Sequence, residues 1–322
     1  MTTRARPMSN KQQRAAIGID IGGTKIAAGV VLWPSGAIAC RRTVPTLPKR
    51  GGKAVLETTR ALASELKTQA RASNITIQGI GVGVPELVDQ HGNLGSHQTI
   101  DWRRTPVQRS LSKIAPARVE SDVRAAALGE AIFGAGKNCG LFTYVTVGTG
   151  ISYCLMQDGR PLRGARGNAI TFASSPLTHA CESCGAISRP ILEEFASGPA
   201  LVSRYKKEQR SKATPLSNIT CADIFRRAKA GDRVAKYVLE SAGHSLGVNV
   251  AFLVNVLDPE MIVVGGGVGL AGGVYWTAFL RSCREHIYAD NARSLPIVRA
   301  RLGTDAGVVG AAASIFTMKE GT

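Results

Sequence analysis

Apolar and polar residues follow each other in blocks that predict a mixed α/β chain. Two apolar runs on either side of a glycine turn, residues 16–32, predict a strand hairpin, and residues 38–44 predict a third strand. Residues 51–73 carry apolar side chains at helical spacing, and residues 75–84 form another apolar run that ends at Pro85. The predicted order is therefore three strands, a helix and a strand.

A second strand-rich block follows a helix that is predicted to open at Asp122 and to end near Gly134. Residues 141–150 predict a strand that enters a glycine–threonine turn, and residues 151–157 continue as a hairpin. The remaining pattern predicts a basic surface loop at residues 205–217, a long helix at 234–256, a buried strand at 261–264 and a last glycine- and alanine-rich helix at 305–316. Two similar α/β halves with glycine turns are typical of an ATP-binding cleft between domains.

Composition narrows the class of protein. The chain has 322 residues, 44% of them hydrophobic, so it can bury a sizeable interior, and we expect two domains. No run of about 18 apolar residues occurs, and residues 1–15 are polar and basic, so the sequence predicts neither a membrane span nor a secretory signal. The seven scattered cysteines are typical of reduced thiols, and we expect a cytoplasmic protein. A net charge of +17 leaves nucleic acid, an anionic membrane and a phosphorylated ligand as possible partners.

The first glycine turn has the residue types of a phosphate site. The backbone N–H groups of Gly22 and Gly23 can approach a phosphate closely, Thr24 adds a hydroxyl donor, and Lys25 adds positive charge. Asp20, at the end of the preceding strand, can hold Mg²⁺ through water. A tight hairpin turn without a ligand is the alternative interpretation of the same residues.

Two further glycine clusters follow apolar strands in the same way. Gly148, Thr149 and Gly150 form a second turn between strands, and Gly266 and Gly267 follow the buried strand at residues 261–264. Glycine at the third cluster lets a flat ring approach the backbone. Repetition of such turns in one chain favours a phosphate function over isolated hairpin turns.

Eight segments, in this order along the chain, resemble the ROK family of sugar kinases and related proteins. They are IGIDIGGTKIAAGVV (17–31), GIGVGVP (79–85), SDVRAAALGEAIFGAG (121–136), VTVGTGI (145–151), LRGARGNA (162–169), LEEFASGPAL (192–201), LVNVLDPEMIVVGGGV (253–268) and DAGVVGAA (305–312). The resemblance implies the two-domain actin-like, ribonuclease H-like ATPase fold with the active site in the cleft between the domains. It implies a basic tail at 1–15, a small domain at 16–120 joined by the helix at 303–318, and a large domain at 121–302.

The resemblance also implies roles for the three glycine clusters and for Asp122. The first turn lines the phosphates and Mg²⁺ of ATP, the second holds their other side, and Gly266 and Gly267 lie by the adenosine. Asp122 matches the catalytic aspartate of the family's Asn-Asp-Ala-Asn motif, which reads Ser121-Asp122-Val123-Arg124 here. A positioned carboxylate there accepts the proton of a sugar hydroxyl as the hydroxyl attacks the γ-phosphoryl group. A helix N-cap is the alternative role for Asp122.

The acceptor side departs from the family. Thr171 and Ser174 stand where the family has a glutamate and a histidine, Ser121 and Thr99 replace two asparagines, and Glu193 matches the remaining sugar-contacting glutamate. The residues that the resemblance places around the acceptor are Pro85, Thr99, Ser121, Asp122, Thr171, Ser174 and Glu193.

These replacements predict a changed substrate, because a site built to bond hydroxyls discriminates strongly against a poorly matched ring. We expect phosphorylation of a primary hydroxyl on a hexose-like ring, with an amino sugar such as kanosamine or a C7-cyclitol preferred over glucose. An ordinary glucokinase or hexose 6-kinase, and a non-catalytic sugar or nucleotide sensor, are the alternatives.

The family's zinc motif is also incomplete. Cys181 and Cys184 remain, the family's histidine has become Ser174, and His179 is a possible third ligand, so the sequence predicts no structural zinc.

About sixteen residues precede the first glycine turn, too few for the helix-turn-helix domain of the family's regulators. We therefore expect no nucleic-acid or membrane partner, and a homodimer, because the family commonly dimerises through its larger domain.

Overall fold

The computed structural model describes residues 13–176, 179–180, 182–209 and 219–317. Its strands are β1 (Gln13–Ile21), β2 (Lys25–Leu32), β3 (Ile38–Pro45), β4 (Ile75–Val84), β5 (Ala117–Ser121), β6 (Leu141–Val147), β7 (Ile151–Gln157), β8 (Arg160–Pro161), β9 (His179–Ala180), β10 (Ile187–Ser188), β11 (Met261–Gly265) and β12 (Ile297–Arg299). Its helices are α1 (Gly51–Ala72), α2 (Val107–Leu111), α3 (Asp122–Phe133), α4 (Leu192–Ala196), α5 (Gly198–Gln209), α6 (Cys221–Lys229), α7 (Arg233–Leu257), α8 (Gly266–Gly269), α9 (Gly273–His286) and α10 (Ala306–Thr317).

The first sheet has five strands in the order β3-β2-β1-β4-β5. The hairpin strands β1, β2 and β3 pair antiparallel, whereas β4 and β5 continue the sheet in parallel with β1. The last helix, α10, packs on this sheet although it comes from the other end of the chain. A Cβ on Gly18 would lie 1.9 Å from the Val308 carbonyl oxygen, and a Cβ on Gly81 would lie 1.7 Å from that of Ala311. Glycine at these two strand positions therefore allows α10 its close approach.

The second sheet repeats the topology of the first. Its order is β12-β11-β6-β7-β8, with β6, β7 and β8 antiparallel and with β11 and β12 parallel to β6. Read from the other edge, it matches the first sheet strand for strand, and each hairpin turns through glycine. The long helix α7 packs against α9 and buries residues such as Leu246 and Val250 in a core shared with this sheet. The predicted α/β fold with two similar halves is confirmed.

Two sequence predictions differ from the structure. Strand β1 begins at Gln13, inside the predicted basic tail, because Gln13 and Arg14 pair with β4. The surface loop predicted for residues 205–217 is wrong at its start, because α5 continues to Gln209. Tyr205 is fully buried there, and its hydroxyl donates to Asp232 Oδ2 at 2.6 Å. Residues 210–218 of that prediction lie outside the described residues.

None of the helices that the structure describes is long and apolar enough to cross a membrane. The longest, α7, buries one face in the core.

Candidate active site

The ends of three parallel strands bring two aspartates together. In the sheet register Asp20 of β1 pairs with Gly83 of β4, and Val84 pairs with Ser121 of β5, directly before Asp122. A Cβ on Gly83 would lie 3.4 Å from the Asp122 Cα atom and 3.7 Å from Asp20 Oδ1. The two carboxylates therefore flank one glycine, although 101 residues separate them in the sequence.

Both aspartates open into a cleft of about 1060 Å³, at the upper end of the usual size of small-molecule sites. The cleft gathers residues from every predicted glycine cluster. The site residues predicted from the sequence that line it are Asp20, Lys25, Asp122, Gly148, Thr149, Gly266 and Gly267. Gly22, Gly23, Thr24 and Gly150, which the structure also describes, belong to the same turns but do not line the cleft.

Burial makes both carboxylates weaker acids than usual. Burial, followed by the negative charge of Asp20, raises the pKa of Asp122 to about 7. Burial likewise raises the pKa of Asp20 to about 6, although Lys25 opposes the shift. The backbone N–H of Val123 donates to Asp122 Oδ1 at 2.7 Å and fixes the orientation of that carboxyl group. Asp122 can therefore gain and lose a proton near neutral pH.

The second and third glycine clusters lie side by side at the ends of the neighbouring strands β6 and β11. Gly266 has a φ of +79°, and a Cβ there would lie 2.3 Å from the Val147 carbonyl oxygen, so the end of β11 needs glycine at this point. A Cβ on Gly148 would lie 4.0 Å from the backbone nitrogen of Gly267, and one on Gly267 would meet nothing within 4 Å. Backbone groups of both clusters are therefore open to a ligand.

These residues fit ATP and Mg²⁺. The ammonium group of Lys25, the hydroxyl of Thr149 and accessible glycine backbone are suited to phosphates, and the Asp20 carboxylate supplies the hard oxygen donors that Mg²⁺ prefers. Phe225, Ala222 and Val202 of α5 and α6 add an apolar wall. An apolar wall with an aromatic ring fits the flat base of a nucleotide.

Several residues that line the cleft were not predicted from the sequence. Gly303 and Thr304 line the cleft just before α10, and a Cβ on Gly307 would lie 2.5 Å from Asp20 Oδ2. The first turn of α10 thus lies directly against the Asp20 carboxylate. Glycine at positions 303 and 307 around a helix start was the available signal. Lys206 and Tyr144 also line the cleft, but nothing in their sequence context indicated this.

Of the seven predicted acceptor residues, Asp122 lines the cleft and the other six do not. Glu193 Oε2 accepts from the backbone N–H of Ile151 at 2.7 Å, and a Cβ on Gly150 would lie 2.7 Å from the same oxygen. Glu193 is therefore fixed behind the second glycine turn. The hydroxyl of Ser121 is buried and has no hydrogen-bond partner in the part of the chain that the structure describes. The residues outside the lining are Pro85, Thr99, Ser121, Thr171, Ser174 and Glu193.

Thr171 and Ser174 are placed beside the element that carries Glu193. The short helical turn Phe172–Ser174 packs against α4 and β7, with Ala173 fully buried. The Thr171 hydroxyl donates to the Asn168 carbonyl at 3.3 Å, and Ser174 is exposed. The structure therefore brings the two replaced positions and the matching glutamate to neighbouring segments.

The zinc prediction falls partly outside the described residues. Cys181 and the side chain of His179 are not described, and Cys184 is exposed. Among the side chains that are described, no group of three or more His, Cys, Asp or Glu residues could hold a metal ion.

Two sheets of one topology, with two carboxylates and two adjoining glycine clusters lining one cleft, define an actin-like ATPase. A model of the ROK family matches residues 16–317, so the chain belongs to the ROK family. A glucokinase of Streptomyces coelicolor is 32% identical over 314 residues, which cover 92% of this chain and 96% of that protein.

Solved structures agree with this assignment. A ROK family glucokinase from Streptomyces griseus, solved with glucose and AMPPNP, has a TM-score of 0.81 and 29% identity, over 93% of this chain and 98% of that one. A ROK hexokinase from Thermus thermophilus has a TM-score of 0.75 and 33% identity, over 95% of this chain and 100% of that one.

Proposed function

We propose that this ATP-dependent sugar kinase transfers the γ-phosphoryl group of ATP to a primary hydroxyl of a hexose-like ring, with Asp122 as the general base. The observation that carries the proposal is the half-buried Asp122 carboxylate beside Asp20, in a cleft that the second and third glycine clusters also line. The glucokinase and hexokinase relatives support the reaction class.

Asp122 is suited to accept the proton of the attacking hydroxyl. Its pKa of about 7 leaves a large ionised fraction at neutral pH and a carboxylate basic enough to take the proton in the transition state. The Val123 N–H already donates to Oδ1, so Oδ2 is the freer oxygen for the hydroxyl. Because the base must be ionised, we expect kcat/KM to fall as the pH decreases below about 7.

The phosphate side positions the donor. Lys25, next to the first glycine turn, holds the phosphates on one side, while Gly148, Thr149, Gly266 and Gly267 hold the other. Asp20 would bind Mg²⁺ through water, and the bound ion would neutralise charge on the phosphates. The remaining catalytic effect is alignment of the attacking oxygen with the γ-phosphorus atom.

The acceptor side supports a substrate other than glucose. Thr171 and Ser174 replace a carboxylate and an imidazole with small hydroxyls, and Thr171 already donates to Asn168. Each sugar hydroxyl left poorly bonded there costs about 1–3 kcal/mol. Two such losses lower kcat/KM for glucose by about 10²–10⁴-fold relative to a fitted substrate.

ADP release across a panel of hexoses, amino sugars and cyclitols tests this proposal. We expect kanosamine or a C7-cyclitol to give the highest kcat/KM, because the site lacks the acceptors that glucose needs. The highest kcat/KM for glucose would refute the substrate preference and leave the kinase reaction standing. Stimulation by no member of the panel, with measurable sugar or nucleotide binding, would instead support a sensor.

We also propose a homodimer, since the outer face of α7 exposes large apolar side chains. Tyr237, Phe252 and Val256 are 59%, 60% and 61% exposed, and a second copy of the chain would cover them. Light scattering at micromolar concentration is expected to give twice the chain mass of 33.9 kDa. A monomer mass would remove the proposal.

A further inference from the structure

Glu86 is a buried carboxylate that no step of the proposed reaction uses. It is 3% exposed and lies just beyond the end of β4. Its Oε2 atom accepts from the Ser96 hydroxyl at 2.5 Å and the Gln98 N–H at 3.1 Å, and its Oε1 atom accepts from the N–H groups of Thr99 at 2.9 Å and Ile100 at 3.0 Å. Four donors therefore converge on one side chain, and its bonding capacity is used within the protein.

The segment that Glu86 holds lies against the first glycine turn. The Cγ2 atom of Thr99 would lie 3.2 Å from a Cβ on Gly23. Just beyond the segment, the Asp101 carbonyl accepts from the N–H of Gly52 at the start of α1, at 2.8 Å, and Trp102 is buried. Residues 96–100 are thus fixed on one side by Glu86 and on the other by α1, with Thr99 directed at the turn that we assign to phosphate.

We propose that Glu86 is a positioning residue for the acceptor, which folds residues 96–100, with Thr99, onto the first glycine turn. This inference rests on the proposed function of the same site. Because Glu86 does not line the cleft, it acts through Thr99. Sequence alone does not indicate this role, since its partners lie 10 to 14 positions further along the chain.

The variant Glu86→Gln tests the positioning role. Glutamine keeps the shape but turns an NH₂ group toward backbone donors, so two of the four hydrogen bonds lose their acceptor. We expect the KM for the acceptor, measured with glucose and with kanosamine, to rise by about 10- to 100-fold, and the KM for ATP to change by less than about threefold.

Ser96→Ala is the matched control, because it removes one of the four donors and leaves the Glu86 carboxylate in place. The acceptor KM of this control is expected to rise less than that of Glu86→Gln. An equal rise of the acceptor KM in both variants, or an unchanged acceptor KM in Glu86→Gln, would overturn the positioning role.

Limited trypsin digestion gives a readout that does not need kinase activity. Arg103, with a side chain 73% exposed, lies three positions beyond Ile100. If Glu86 fixes the segment, Glu86→Gln speeds cleavage at Arg103 several-fold, while thermal unfolding shows that the rest of the variant is folded. Unchanged cleavage would overturn the proposal even if the panel of acceptors were phosphorylated. Failure of the wild type to phosphorylate any acceptor would refute the proposed function instead, and the cleavage comparison would still decide whether Glu86 holds the segment.

Discussion

Replacement of Asp122 by asparagine is expected to lower kcat by about 10²–10⁴-fold, the usual contribution of a general base, with nucleotide affinity nearly intact. Asparagine keeps the hydrogen bond from the Val123 N–H but cannot accept the proton of the sugar hydroxyl. Initial rates with the best acceptor, together with calorimetric binding of AMPPNP, measure the two effects. Normal turnover by Asp122→Asn would show that Asp122 is not the base.

The same variant is expected to be more stable than the wild type above pH 7. The pKa of Asp122 rises from 3.8 in the unfolded chain to about 7 in the fold, so the folded protein holds the proton more tightly between these values. Ionisation therefore destabilises the fold as the pH rises from about 4 to 7, by about 4 kcal/mol at most. Asparagine removes this penalty, and the difference disappears below pH 4.

Urea unfolding at several pH values measures the stability difference. Asp290→Asn is the matched control, because that carboxylate is 88% exposed. We expect the control to show no comparable gain in stability. An Asp122→Asn protein that is less stable than the wild type at pH 8 would contradict the buried, destabilising charge at this position.

Arg124→Asn is expected to destabilise the fold by about 3–5 kcal/mol, because it removes three hydrogen bonds of a fully buried guanidinium group. The Glu120 carboxylate keeps a second partner, Arg163, at 2.5 Å. Arg124 is fully buried, and its Nε atom donates to Glu120 Oε1 at 2.6 Å. Its Nη1 atom donates to the Gly167 carbonyl at 2.7 Å, and its Nη2 atom donates to the Val88 carbonyl. One guanidinium group thus joins α3 to the loop after β4 and to the loop that leads to Thr171.

Arg42→Asn is the control for Arg124→Asn, since Arg42 also donates to a glutamate at 2.6 Å but with a side chain 41% exposed. An exposed pair contributes about 0–1 kcal/mol, so the control is expected to lose little stability. Urea denaturation compares the two variants directly. Equal losses would show that the buried network at Arg124 is not a special stabilising element. The family motif has asparagine at position 124, so the test also measures how much the arginine in its place contributes to stability.

The fold was largely predictable because its signals are local. Apolar runs on either side of glycine turns gave the hairpins β1–β2 and β6–β7, and Asp258-Pro259 marked the end of α7. The start of the loop predicted for residues 205–217 was wrong for a tertiary reason. Tyr205 forms its hydrogen bond with Asp232, 27 residues away, and no local pattern indicates that contact.

The site was predictable only in part. Its glycine clusters and its two aspartates follow apolar strands, and this pattern can be recognised in the sequence. The proximity of Asp20 and Asp122 depends on the register of three strands, which the sequence does not show. Glu86 carries no signal because a single glutamate in a polar loop resembles any solvated residue. The roles of Thr171 and Ser174 stay predictions, since the structure places them beside α4 and outside the cleft lining.

Phosphorus NMR of the reaction products tests the central claim most directly. The full-length protein is incubated with ATP, Mg²⁺ and the acceptor that gives the fastest ADP release. We predict one new phosphomonoester signal, formed in step with ADP and split into a triplet by the two protons of a primary CH₂ group. Inorganic phosphate without an ester, or a doublet from a secondary ring hydroxyl, would contradict phosphoryl transfer to a primary hydroxyl by this chain.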